Sequence, residues 1–363
     1  AMSNVSVANK EFEELRLHYR VAWAAYRSAE INQVVTSGKK LLQPGVNLGS
    51  AVEYSNITTD AIELIGNALF ENNDYNFTMK TLEDRSLNRY GAAIAYQTLN
   101  RYSANEIHSE VLKVGPKVLK KFPLAKELPE IVQIVAQSYD VSGRTHNKVE
   151  TMRLLANLLP KNSLWRAHND DDFEAISNME DKAKTANILV ASYFYEQGLN
   201  TGNTHHFATA SSHYNNLLSY SANDPSANTW RLRTAHCNYF SGDLAAADKG
   251  YSDLIEAYKS DEKTIQVAAY QLVLTREKAW RESFAKVVNA GDEPKKDPIT
   301  VASVARLENA IDGYAARYPN QSRAVDLMLV GASSNRDMER YDRASKYWQK
   351  VLVSKPSAAQ RTI

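Results

Sequence analysis

Apolar residues return at helical spacing in segment after segment, and the stripes come in twos. Leu15, Tyr19, Ala22, Trp23 and Tyr26 mark one face of a segment running from Phe12 to Val35. Ile62, Ile65, Gly66 and Leu69 mark another between Thr59 and Phe70. Recurrence at i, i+3, i+4 and i+7 predicts amphipathic helices, and no segment shows the period of two that a half-buried strand requires. Polar turns join the stripes into pairs, and proline closes several of them. Glu130–Val141 and Lys148–Leu159 meet through Gly143 and end at Pro160. Ser226–Phe240 and Leu244–Tyr258 meet through Ser241-Gly242-Asp243. Pro123 and Pro160 have the same separation as Pro319 and Pro356. Thr59–Phe70 leads through Glu71–Tyr75 into Phe77–Leu87, and Tyr90–Tyr102 and Ile107–Phe122 make a further pair, where Pro116 should kink the last helix or mark its start. A hairpin roughly every 34 to 40 residues cannot bury its apolar face alone, so it must stack on its neighbours.

The spacing predicts that Glu174–Gln197 ends at Gly198, with Leu199–Thr204 as a loose connection before Phe207–Tyr220. Thr264–Val288 reads as one long helix. Ala290–Pro298 reads as a linker, dividing helical repeats at 1–289 from a continuation at 299–363. Gln43-Pro44-Gly45 and Gly49 interrupt the pattern near the start. Ala1 ahead of Met2 and the helix-like Ser357–Ile363 are what a piece cut from a longer chain would show.

These hairpins resemble the tetratricopeptide (TPR) repeat. Ala136, Tyr139, Gly143 and Pro160 carry the likeness in one unit, and Ala235, Gly242, Ala247 and Tyr251 in another. Gly66, Leu69, Tyr75 and Leu82 carry it in a third, and Ala332, Tyr341, Ala344, Trp348 and Pro356 in a fourth; Ala191, Phe194 and Gly198 match a first helix only. Small side chains let helix axes approach while large ones fill the groove opposite. Lys148 at a usually small position, and Asn238 and Asn335 at usually aromatic ones, depart from the pattern. The resemblance implies an all-α, right-handed superhelical solenoid of about eight to nine antiparallel helix pairs. A second likeness concerns the unit ends. Lys121-Phe122-Pro123-Leu124-Ala125 and Arg317-Tyr318-Pro319 resemble the closing signature of bacterial envelope TPR proteins, such as outer-membrane assembly lipoproteins and the periplasmic Tol-associated coordinator. That implies a periplasmic or cell-envelope setting, with the cytoplasm as the alternative.

Composition narrows the partners. Lys and Arg number 43 against 42 Asp and Glu, a formal net charge of +1, which gives no reason to expect nucleic acid. No apolar run is long enough to span a membrane. A single cysteine, Cys237, excludes an intrachain disulfide and a cysteine-based zinc cluster. Tyrosine is abundant at 20, against 9 phenylalanines, which suits helices packed with one edge wet.

The chain lacks a phosphate loop, a nucleophile elbow and a zinc-protease motif. His205, His206 and His213 lack a supporting carboxylate. His168 with Asp170, Asp171 and Asp172 reads as a solvated helix start. Buried Cys237 reads as structural. No cofactor, metal or catalytic residue is therefore expected. In a TPR arrangement, residues next to the packing positions of the first helices line the groove: Asn67, Phe70, Gln137, Asp140, Ser192, Tyr195, His236, Tyr239, Ser333 and Arg336. This polar and aromatic lining suits an extended peptide or a partner's helix. Only Arg336 among them carries a full charge of the sign that would clamp an acidic C-terminus, so such capture is disfavoured. The expected function is a non-catalytic protein-interaction scaffold in an envelope assembly. The alternatives are a cytoplasmic adaptor in regulation, secretion or motility, and the helical arm of a polysaccharide synthase or export system.

Overall fold

The computed structural model describes residues 2–43, 51–87, 89–257 and 260–354. Pro44, Gly45, Gly49, Tyr258, Pro356 and Ser357–Ile363 lie outside them. Every regular element among the described residues is helical. In chain order the α-helices are α1 (Met2–Arg27), α2 (Ile31–Leu41), α3 (Ala51–Asn72), α4 (Tyr75–Leu82), α5 (Gly91–Ala104) and α6 (His108–Lys121). Then follow α7 (Leu128–Val141), α8 (Thr145–Ala156), the short α9 (Leu164–His168), α10 (Phe173–Thr201), α11 (Thr204–Tyr220) and α12 (Ala227–Ser241). The last five are α13 (Leu244–Glu256), α14 (Glu262–Asn289), α15 (Pro298–Arg317), α16 (Ser322–Asp337) and α17 (Tyr341–Val353). The chain divides into two compact units, Ala1–Val190 and Ala191–Ile363.

Unit 1 is built by neighbour-to-neighbour packing. α1 packs on α2 and α3, α3 on α5, α5 on α6 and α7, and α7 on α8. Gly66 shows why a small residue is needed between first helices. A Cβ there would stand 2.6 Å from the Gln97 Cβ and 3.3 Å from the Ile94 carbonyl oxygen, so a side chain would force α3 away from α5. Buried Ile65, Leu69, Ile94 and Leu99 fill the surroundings. Phe12–Val35 is not one helix. Ala29 takes a positive φ of 59°, and the chain turns between α1 and α2. Pro116 lies well inside α6 rather than at its start.

In unit 2 each helix likewise packs on the next, from α11 through α17, with α12 also touching α14. The core holds Tyr251, Leu254, Val273, Leu307, Ile311 and Tyr314, all at or below 2 % exposure. Gly198 does not end α10, which runs on to Thr201. A Cβ at Gly198 would meet the Phe207 ring at 2.8 Å, so this glycine admits α11 closely, and the turn falls at Gly202, with a φ of 68°. Side-chain oxygens of Asp243, Asp261 and Asp297 accept from backbone N–H groups at the starts of α13, α14 and α15, each worth about 1 kcal/mol. Asp297 and Pro298 thus open α15 at the end of the expected linker, and α15 packs directly against α14.

Candidate functional site

In unit 2 the first helices of successive pairs are the last turns of α10, then α12, α14 and α16. The first three each present a tyrosine to a cation from the next. Tyr195 on α10 is 7 % exposed, and the Arg233 guanidinium of α12 stands 4.5 Å from its ring centre. Tyr239 on α12 has the Lys278 ammonium of α14 at 5.1 Å. Tyr270 on α14 has Arg323 of α16 at 4.7 Å. A cation over an aromatic face is held by the ring's quadrupole, and the more so when half-buried. Arg233, Lys278 and Arg323 make no ion pair among the described residues. The wall thus holds three cations on aromatic supports, none in an ion pair among the described residues, with Glu277 and Glu282 of α14 acting electrostatically at Tyr239.

The Tyr195 end of the wall is the most enclosed. The Tyr195 hydroxyl lies 3.3 Å from His236 Nδ1, and the two rings stack at 6.4 Å. Phe207 packs edge-on to Tyr195 at 6.1 Å, and the His236 ring lies 5.8 Å from that of Tyr251. Burial, and after it Arg233, pushes the His236 imidazole down to about 4, so it is neutral at pH 7. Burial also raises the Tyr195, Tyr214 and Tyr251 phenols. The Cys237 thiol is pushed up to about 12 by the same desolvation, which leaves it protonated and a poor nucleophile. Two buried polar atoms here lack a protein partner, His236 Nε2 and the Tyr251 hydroxyl oxygen.

The wall gathers Tyr195, His236 and Tyr239 from the positions the sequence offered. Ser192 lies beside them through a hydrogen bond with Tyr214. Ser333 bonds back to the Val330 carbonyl of its own helix, and Arg336 is drawn to the adjacent Asp337 at 3.0 Å. In unit 1, Phe70 meets Tyr102 edge-on at 5.2 Å with Arg101 over its face. Asn67 is half-buried on the same helix, Gln137 is exposed, and Asp140 is held by Lys148 at 2.8 Å. Lys148, the departure from a small residue, thus ties α7 to α8.

The residues that sequence reasoning missed are Arg233, Lys278, Arg323 and Tyr270. Arg233 stands one helical turn before His236, so extending each groove position by i−3 would have found it. Lys278 and Arg323 carry no such signal, because they reach across to a ring on the preceding first helix. Among the described residues no group of three or more His, Cys, Asp or Glu is placed to hold a metal ion. His206 instead packs against Phe194, and Asp172 accepts from the Ala175 backbone N–H at the start of α10. No described helix is long and apolar enough to cross a membrane.

No protein-family model matches the chain. No curated protein matches it either. Among solved structures it is similar to the human IFIT1 dimer with PPP-AAAA, at 10% identity over 91% of this chain and 81% of that one, with a TM-score of 0.24. It is also similar to Rap protein complexed with competence and sporulation factor, at 14% identity over 94% of this chain and 98% of that one, with a TM-score of 0.23. The architecture rests on the helix pairs themselves.

Proposed function

We propose that the protein is a non-catalytic interaction scaffold, and that unit 2 holds a segment of a partner protein along the wall of α10, α12, α14 and α16. One observation carries this reading: three successive tyrosines are each covered by a cation that makes no ion pair among the described residues. Acidic side chains of a partner would supply the counter-ions, and its aromatic or aliphatic side chains would pack against the ring edges. The protonated thiol of Cys237 and the neutral His236 offer no activated nucleophile at the wall.

The test replaces Arg233, Lys278 and Arg323 together with methionine, which keeps the aliphatic stem on the ring and removes the charge. Affinity-isolated partner, identified by photo-crosslinking from position 239, should bind the triple variant weaker by roughly tenfold or more, equivalent to about 1.4 kcal/mol. Undiminished binding by a folded triple variant would end the proposal. Basic aromatic walls also stack single strands, so a homopolymer RNA is the control. Its binding by the wild type, lost in the triple variant, would replace the protein partner with nucleic acid.

We extend the reading to a bacterial envelope assembly on the two closing signatures at Pro123 and Pro319. Fractionation of the source cells tests it. Recovery in the periplasmic fraction supports an envelope scaffold, and recovery in the cytoplasm makes the protein a cytoplasmic adaptor.

A further inference from the structure

In unit 1, α2, α4 and α6, the second helices of the first three pairs, carry lysines on their solvent side. On α6, Lys113, Lys117 and Lys120 are all exposed and recur at i, i+4 and i+7, a single stripe about 10 Å long. Lys80 of α4 and Lys40 of α2 are exposed as well. Each of the three helices follows a turn residue with positive φ, at Ala29, Asn73 and Glu106, which gives them a common origin for counting. Lys80 and Lys113 both stand seven residues beyond that turn, and Lys40 and Lys117 both stand eleven. Contacts between the helices join these positions. α4 packs against α6, and Lys39 of α2 reaches Asp84, just past the end of α4, at 2.6 Å.

Lys40, Lys80, Lys117 and Lys120 make no ion pair among the described residues, while Lys113 is taken by Glu110. Glu30, Asp74 and Glu106 stand at the starts of the three helices, ahead of the lysines, and Glu83 follows α4. Like charges one helical turn apart repel, so Lys117 and Lys120 weaken α6 slightly in the absence of an anion. The pattern stops at α8, where the same two offsets from Gly143 hold Glu150 and Leu154. On α13 of unit 2 they hold Lys249 and Asp253, which pair with each other at 2.5 Å.

We propose that this lysine band docks unit 1 on the headgroups of an anionic phospholipid bilayer, as a reversible peripheral contact. Two features favour a bilayer over a nucleic acid. The residues exposed beside the lysines include Thr36, Asn76 and Ser109, and α2, α4 and α6 expose no aromatic ring on which a base could stack. The cations are also all ammonium groups, point charges that act additively on a diffuse negative surface, whereas forked arginines suit individual phosphates. These helices expose no apolar side chain either, so the contact is electrostatic alone. It does not depend on the wall of unit 2.

The experiment is co-sedimentation of the full chain with vesicles of phosphatidylcholine carrying about one-third phosphatidylglycerol, against phosphatidylcholine alone. The protein should pellet with the anionic vesicles at low salt, ignore the neutral ones, and be released at high salt. Each lysine should contribute roughly fivefold, so Lys40→Gln, Lys80→Gln, Lys117→Gln and Lys120→Gln combined should weaken binding by about a hundredfold or more. All four side chains are exposed, so the fold does not depend on them. The matching arginine variant should keep binding, as should the Arg233, Lys278, Arg323 triple variant. No binding to anionic vesicles, equal binding to neutral ones, unchanged binding by the glutamine variant, or loss in the arginine or triple variant would each overturn the proposal. Capture of duplex DNA at a salt that already strips the vesicles, lost in the glutamine variant, would replace the bilayer with nucleic acid.

Discussion

The two units stack helices in the same way and dress the faces of their first helices differently. In unit 1 tyrosines act as hydrogen-bond donors to acids. Tyr19 of α1 donates to Asp60 of α3 at 2.8 Å, and Tyr26 donates to Glu71 one step further along the same pair of helices. Glu130 of α7 is likewise taken by Asn178 and Lys182 of α10. In unit 2 Tyr195, Tyr239 and Tyr270 offer their faces, and cations rest on them. An acid bound by a phenol or an ammonium is already answered within the chain. A guanidinium on a ring keeps most of its charge for something else. Repeat packing thus fixes where a side chain stands, and the choice of partner for each tyrosine decides whether the surface is closed or open.

The sharpest consequence is a pH response at the open wall. His236 is held neutral with its pKa lowered to about 4, below the ordinary value of 6.5. The unfolded chain therefore takes up a proton that the folded one refuses as pH falls from about 6.5 to about 4. Stability is fully present above that window and is lost through it, by on the order of 3 kcal/mol for this group. Urea unfolding at pH 7 and pH 4.5 should show the loss, and His236→Phe should remove most of the difference. An unchanged difference in that variant would place the acid sensitivity elsewhere.

Closed packing in unit 1 is tested at Gly66. Gly66→Ala should destabilise by about 2 kcal/mol, because its Cβ meets Gln97 and the backbone of α5. Tyr19→Phe should cost about 1 kcal/mol, the value of a hydrogen bond to a charged acceptor that stays partly wet. The smallest effect has the opposite sign. Gly313, inside α15, has open space around its Cβ position, so Gly313→Ala should stabilise by roughly 0.5 to 1 kcal/mol in the same melts.

Helix existence was legible because apolar period and turn residues agree over long stretches, as they do from Leu128 to Ala156 and from Ala227 to Glu256. Ends were harder. Gly198 and Leu199 look like a stop, yet the glycine is there for the approach of Phe207, a purpose that only the neighbouring helix reveals. Conversely Ala29 breaks Phe12–Val35 with a positive φ that alanine seldom adopts, so nothing in its type announces the turn. The wall was half legible. Tyr195, His236 and Tyr239 follow from register within one repeat, whereas Lys278 and Arg323 belong to it only through contacts between repeats.

Cys237 gives the molecule a clock of its own. It is the sole cysteine, it is fully buried on α12, and its thiol is held protonated. A thiol reagent can reach it only when α12 parts from its neighbours, so the labelling rate in native buffer measures how often that repeat opens. No engineered probe is needed, and a ligand seated on α12 would be read directly as a slower reaction.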